Sequence, residues 1–400
     1  MSRQAQTQGH PTLNRVQLIA LVVGGVGIVL LGVGWFLSPA QFFPAYLVGY
    51  ILWIQVALGC LAILMIYNMT GGGWGYVTQR ILRAGMLTLP VLAVLFVPLL
   101  FGLPILYEWA RPEAVADDAL LQHKLPYLNV PFFIARTVIY FVVWGGLAFL
   151  LNRWLLQQDD SFDLALSRRL RALSGLGLGA FGLTVTFASI DWMMSLEPHW
   201  FSTIYGFMFA TGAAAAGFAF VIIALAWLVK RTALAEAVSK LNVNDLGNFL
   251  LAVVMLWAYM TLSQYLIIWS GNLAEETPWI FRRTNGGWEF VGLLLIIFHF
   301  FAPFLVLLSR TVKRRIRWLV SVAGLVLFMR LFDLYWLIIP AFHESFYLDW
   351  LIIVAPIAIG GIWLAAFVWQ LKRKSLLPLY DAGVEEKLLD YGRTEAPTHS

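Results

Sequence analysis

Ten apolar segments, each close to the ~20 residues a helix needs to cross a bilayer, constrain this chain more than anything else in it. They read as Leu18–Leu37, Tyr46–Tyr67, Gly85–Leu106, Phe132–Leu151, Gly175–Met194, Ile204–Val229, Gly247–Trp269, Trp288–Leu308, Trp318–Ile338 and Trp350–Trp369. The hydrocarbon layer offers no water to backbone N–H and C=O groups, so only helices and closed barrels satisfy them there. Barrel strands would be shorter and would alternate polar with apolar residues; these segments do not. The expected fold class is an all-α integral membrane protein of ten transmembrane helices. Composition agrees, with 60% hydrophobic and 12% charged residues, against ~25% charged in soluble domains.

Lys and Arg residues then predict orientation. Of 27, 21 fall on one side. Arg3 and Arg15 precede the first span; Arg80 and Arg83 follow the second; Arg153, Arg168, Arg169 and Arg171 follow the fourth. Lys230, Arg231 and Lys240 follow the sixth; Arg310, Lys313, Arg314, Arg315 and Arg317 follow the eighth; Lys372, Arg373, Lys374, Lys387 and Arg393 close the chain. The other side holds Arg111, Lys124, Arg282 and Arg283, while Arg136 and Arg330 lie inside spans. This bias predicts both termini in the cytoplasm. The expected organisation is a cytoplasmic N-terminus over 1–17, a transmembrane domain over 18–371 and a cytoplasmic tail over 372–400. The sequence pI near 9.3 accordingly reports topology and anionic lipid, not nucleic acid. The first span is too long for a signal-peptide core, and no small-x-small cleavage site follows Phe36-Leu37. Trp35, Trp109, Trp200, Trp269, Trp279, Trp288, Trp318 and Trp350 near span ends read as interfacial belts.

One cysteine, Cys60, cannot hold an iron–sulfur cluster or a Cys-x-x-Cys-His haem. Paired haem-ligating histidines are absent from the spans, where only His299 lies deep. No metal ligands and no covalently bound cofactor are expected. Gly71-Gly72-Gly73 lacks the Lys-Ser/Thr of a phosphate loop. Gly175–Gly179 and Ala210–Gly217 read instead as small-residue packing faces. Leu155–Leu173 reads as a short amphipathic helix at the headgroups.

The ionisable side chains within or beside the spans are the site candidates, because charge in a membrane is costly and marks function. Asp191, Glu197 and His199 sit in the sequence Asp191–Gly206, where a span ends in a proline-constrained turn. Arg136 lies in the outer part of the fourth span, Glu289 at the mouth of the eighth and His299 near its middle. Arg330 and Asp333, three residues apart, share one helical face and can pair. Polar groups toward the other side are Thr184, Thr186, Thr211 and Asn248. Acid and imidazole groups at an interface suit proton uptake or release, since burial moves their pKa values toward neutrality. Each also has a structural reading: Arg330–Asp333 as a pair that keeps an Arg charged, His299 as a packing residue, Glu289 as a hydrated carboxylate, Asp191 as a cap.

Three motifs carry a resemblance. Asp191-Trp-Met-Met-Ser-Leu-Glu-Pro-His-Trp-Phe-Ser-Thr-Ile-Tyr-Gly206 resembles the signature of the ActF family, membrane subunits of bacterial alternative complex III. Asp245–Leu251 with Trp257-Ala-Tyr, Ser263–Asn272 and Glu275-Glu276 agrees with it, as does Arg330–Phe342. The resemblance runs from the first span to the tenth. It implies membership of the NrfD/PsrC-like integral membrane proteins, with ten helices forming two four-helix bundles plus two extra helices. It implies a bacterial inner-membrane complex that oxidises menaquinol and passes electrons to cytochrome c or a terminal oxidase. Its partners would be an iron–sulfur protein, a multihaem cytochrome c and an ActC-like membrane subunit. The chain itself would supply a proton path or a quinone-binding surface, through Asp191, Glu197, His199, Arg136, Glu289, His299, Arg330 and Asp333. Two other readings stand beside it: a stand-alone secondary transporter and a structural membrane anchor.

Overall fold

The computed structural model describes residues 11–160, 163–231 and 237–373. Helix makes up 86% of it and no strand occurs among the described residues. Ten helices are long and apolar enough to span a membrane: α1 Pro11–Leu37, α2 Pro39–Thr70, α3 Gly73–Phe101, α4 Val130–Asp159, α5 Leu164–Leu196, α6 Tyr205–Val229, α7 Lys240–Gly271, α8 Trp288–Leu308, α9 Ile316–Ala341 and α10 Trp350–Leu371. The chain is a multi-pass membrane protein. An even number of crossings brings Pro11 and Arg373 to one side, the terminal face, where Lys372 Nζ donates to Asn14 Oδ1 at 2.7 Å. The opposite side is the loop face.

Local chemistry sets the breaks. Pro39 lies in the first turn of α2, where its missing N–H costs nothing. Gly71 (φ 67°) and Gly72 (φ 110°) turn the chain into α3 through left-handed backbone that a side chain would strain. This triplet is a turn between two spans. Pro90 cannot donate to Met86, so α3 is interrupted between Gly73–Met86 and Leu89–Phe101. In α8, Pro303 removes the donor to His299 O and its ring crowds that carbonyl; Leu295–Phe301 widens into a π-helical turn just before it.

Span boundaries differ from the sequence expectation most in α3, which begins at Gly73 rather than Gly85, and in α5, which begins at Leu164 rather than Gly175. The amphipathic segment expected over Leu155–Leu173 is corrected: its two ends continue α4 and α5, and Asp163 caps α5 by accepting from Ala165 N at 2.7 Å. The tail from Lys374 onward and residues 1–10 lie outside the described residues.

Helices α2 to α5 pack in one ring of four and α6 to α9 in a second. The rings meet where α2 crosses α6, at Gly59 and Gly217; a Cβ on Gly59 would stand 2.1 Å from Ala213 O. Helix α2 is therefore the central strut, 94% buried over its most apolar window, against 22% for α1. Helices α1 and α10 pair outside both rings. Their seam is built of small residues, since without a hydrophobic drive between helices close backbone approach supplies the attraction. Gly24 faces Gly361, Gly27 faces Ala358 and Gly34 faces Leu351.

A Cβ at Gly361 would meet Gly24 N at 2.5 Å and Ala20 O at 2.8 Å, both backbone atoms that cannot swing away. Gly361→Val is therefore expected to undock α1, costing about 1–3 kcal/mol by overpacking. Gly25→Val, where a Cβ meets nothing within 4 Å, should leave the thermal unfolding midpoint in detergent where it is. Equal midpoints for the two variants would refute this account of the seam.

Candidate functional site

Asp191, Glu197 and His199 share a short stretch of sequence, but the fold sends each to a different partner. Asp191 is fully buried at the end of α5. Arg136 of α4 grips it with two donors, Nε to Oδ2 at 2.8 Å and Nη2 to Oδ1 at 2.9 Å. Tyr140, one turn along α4, donates its hydroxyl to Oδ2 at 2.6 Å. The guanidinium also donates to Tyr127 O at 2.8 Å and lies over the Tyr127 ring, 3.9 Å from its centroid. Burial first, and then the Asp191 charge, push the Tyr127 phenol upward. The arrangement is a satisfied bidentate clamp between α4 and α5.

Glu197, two turns later, faces the opposite way. Its Oε2 accepts from Arg283 Nη2 at 2.5 Å and its Oε1 from Arg282 Nη1 at 3.2 Å. Arg283 is 1% exposed, so these contacts stand in for water around its guanidinium. It also donates to Leu337 O at 2.7 Å and Trp279 O at 2.9 Å, with its guanidinium 4.0 Å from the Trp279 ring centroid. Trp279 in turn stacks on Trp200, centroids 4.3 Å apart and planes at 8°. Glu197 thus ties the α5–α6 turn to the short helix Thr277–Thr284 and to the end of α9. The tryptophans here correct the belt expectation. Trp109, Trp200, Trp279 and Trp288 are buried inside this loop-face cap, whereas Trp269, Trp318 and Trp350 are exposed.

His199 is half-exposed, and its Nε2 lies 2.6 Å from Asp118 Oδ2. Asp118 caps the short helix Ala119–Lys124, its Oδ1 accepting from Leu120 N at 2.8 Å and Leu121 N at 3.2 Å. Desolvation alone would raise the Asp118 carboxyl, but the Leu121 and Leu120 amides and His199 together hold it below the usual carboxylate range. Lys124 completes the strap by donating to Pro198 O at 2.5 Å. Glu289 stays local and accepts from Gly287 N at 2.8 Å.

The second concentration of polar groups lies inside the membrane. Arg330 and Asp333 of α9 are 2% and 3% exposed and hydrogen-bonded to each other. Arg330 stands eight residues, ~12 Å, from Ile338 at the loop-face end of α9. Its Nε donates to Gln55 Oε1 of α2 at 2.9 Å, and Trp257 Nε1 of α7 donates to Asp333 Oδ2 at 2.9 Å. Gly212 of α6 makes room for the guanidinium; a Cβ there would come within 2.2 Å of Nη2. His299 is also buried, its ring edge-on to Trp257 at 4.4 Å, and its Nδ1 has no partner among the described residues.

Beside Arg330 and Asp333 is a cavity of about 10 Å³, also lined by Tyr205, Met193 and Trp257. That is room for one water molecule. Tyr205, the first residue of α6, is within electrostatic reach of both the Arg330–Asp333 and the Arg283–Glu197 pairs. Sequence reasoning missed Gln55, Tyr140, Tyr205 and Arg283 as site residues. Gln55 had a signal, as a lone amide in a long apolar run; Tyr140 lies on the Arg136 face at i+4.

Toward the terminal face, Arg80 and Arg83 share Asp159 Oδ2 at 2.7 and 3.1 Å, and Lys313 donates to Asn248 Oδ1 at 2.8 Å. Among the described residues no three His, Cys, Asp or Glu side chains converge as a metal would need. The sequence matches no family model and no curated protein.

Asp191→Asn should leave Arg136 buried and unpaired, a loss of about 3–5 kcal/mol. The variant is expected to accumulate poorly and to unfold at lower denaturant, and Arg136→Gln in the same background should recover part of the loss. Wild-type stability in Asp191→Asn would show that the clamp carries no weight. A second expectation follows from Asp118. Its depressed pKa makes the strap fully formed above the ordinary carboxylate range and weaker as pH falls below about 4. Hydrogen-exchange protection of the Leu120 and Leu121 amides should therefore drop on acidification, and pH-independent protection would contradict it.

Proposed function

We propose that this chain is the membrane subunit of a bacterial quinol-oxidising respiratory complex of the alternative complex III type, and that it carries a proton between the membrane interior and the loop face. The single observation that supports this best is a water-sized cavity beside the buried Arg330–Asp333 pair, with Tyr205 in its wall. Asp333 and Tyr205 both line a cavity with room for one water, and Tyr205 also lies within electrostatic reach of Glu197 and Arg283. A phenol is both donor and acceptor, so with one water it can link a carboxylate inside the membrane to one at the loop face. Asp333 would then hold the proton inside and Glu197 exchange it at the loop face. The Asp191 clamp stands apart from this route and positions α4 against α5.

A cavity of about 10 Å³ does not fit a quinol ring, since small-molecule sites run from ~300 Å³ upward. On this reading menaquinol is not oxidised at the polar cluster, and its electrons go to iron–sulfur and multihaem cytochrome c partners. The complex would sit in the inner membrane with the terminal face in the cytoplasm, as the basic residues on that face favour. A stand-alone transporter with alternating access is less well supported. Its polar site would need to reach both faces, whereas the cluster here leads toward one.

The test is purification in mild detergent from the native membrane, followed by turnover of the complex in vesicles. Haem- and cluster-bearing subunits should copurify. Tyr205→Phe keeps the ring and removes the relay, so assembly should be normal while proton release per quinol, or turnover itself, falls about tenfold or more. Asp333→Asn should do the same. Copurification of no redox subunit would overturn the assignment to a complex, and full coupling in both variants would overturn the path.

A further inference from the structure

A second cavity belongs to none of these polar networks. It is a groove of about 540 Å³ at bilayer depth, open to the side of the protein, between α1 and α9 with α2 and α10 as its floor. Val16 and Ile19 form one wall, Gly324 and Phe328 the other, and Trp53 and Gly360 the floor. Every lining side chain is apolar. The one polar group of the floor is already used, since Trp53 Nε1 donates to Pro356 O at 2.7 Å. Glycines make the space: a Cβ at Gly360 would meet the Trp53 ring at 2.3 Å, and one at Gly324 would meet nothing within 4 Å. In a bilayer such a groove is filled by an alkyl chain.

Its end toward the terminal face is basic. Arg15 is one turn before Ile19 on α1, and Arg317 is two turns, ~10 Å, before Gly324 on α9. Both therefore stand on the faces that line the groove, at headgroup level, beside the exposed Trp318. Both are exposed, and neither forms an ion pair among the described residues. We propose that this groove is a binding site for one anionic diacyl phospholipid of the terminal-face leaflet, with an acyl chain in the groove and the phosphate between Arg15 and Arg317. The site is independent of the redox reading, because it uses neither Asp333 nor the loop face.

The experiment is native mass spectrometry of the full chain, delipidated in detergent and titrated with phosphatidylglycerol or phosphatidylcholine. The wild type should hold one phosphatidylglycerol about 30-fold more tightly than phosphatidylcholine, the preference expected of two basic residues at a lipid surface. Gly324→Leu sends its side chain into open space, so the fold should persist while this lipid is lost; Gly25→Leu, also unhindered, should keep it. Arg15→Gln with Arg317→Gln, which disturbs no packing, should retain a lipid but no longer distinguish the two headgroups. Equal affinities in the wild type, an unchanged first site in Gly324→Leu, or stoichiometric displacement of the lipid by menaquinone-4 would each overturn the proposal. The last would make the groove an isoprenoid site.

Discussion

The ion pair between Arg330 and Asp333 is the constraint around which the second half of the molecule is arranged. Two charges removed from water are stable only when their remaining donors and acceptors are met, and breaking one such partner exposes the full cost of burial. Here the partners come from three other helices: Gln55 from α2, Trp257 from α7 and the open face at Gly212 from α6. Helix α9 cannot rotate or slide without losing at least one of them. The Gly59–Gly217 crossing has the same consequence from the other side, since only backbones this close bring Gln55 across to the second ring. A buried charge pair thus fixes the register of four helices that apolar packing alone would leave free to slip.

On the loop face the organising principle is different. There water is available, and the connections are held by carboxylates that accept from cations and amides of other segments. Glu197 joins the α5–α6 turn to the helix Thr277–Thr284, and Asp118 joins the Ala119–Lys124 helix to His199. Aromatic stacking of Trp200 on Trp279 closes the cap between them. The pH response expected of the Asp118 strap belongs to this layer.

Spans and their number are legible in the sequence because the bilayer imposes one length and one periodicity on every segment. So is the Arg330–Asp333 pair, since three residues along a helix is a local geometric fact. What was not legible is which carboxylate meets which cation when they come from different helices. Asp191 and Glu197 are six residues apart, yet a 3-10 turn at Met194–Leu196 points them to opposite sides. Arg283 reads in sequence as one of a few basic residues on the loop side, and only the fold shows that it is buried against Leu337 and Glu197. The tryptophans mislead for the same reason: span ends attract them both as lipid anchors and as caps, and their position along the chain does not separate the two.

The two membrane aspartates show how like sequence surroundings yield unlike sites. Asp191 and Asp333 each lie seven residues before a proline, Pro198 and Pro340, and each precedes a short 3-10 turn at the loop face. Each is paired with an arginine and with one aromatic donor, Tyr140 or Trp257. The difference is where the arginine comes from. Arg136 approaches Asp191 from a separate helix, so its fork meets both carboxylate oxygens and Tyr140 takes a further lone pair, filling three of about four acceptor sites. Arg330 is on the same helix as Asp333 and reaches it from the side. Both protein hydrogen bonds fall on Oδ2, and Oδ1 has none among the described residues. That oxygen is the one with lone pairs to offer a water in the adjoining cavity. A clamp on both oxygens and a carboxylate with one oxygen free thus follow from the helix that supplies the cation, which is why the proposed proton path runs through Asp333 and not through the residue in the more distinctive motif.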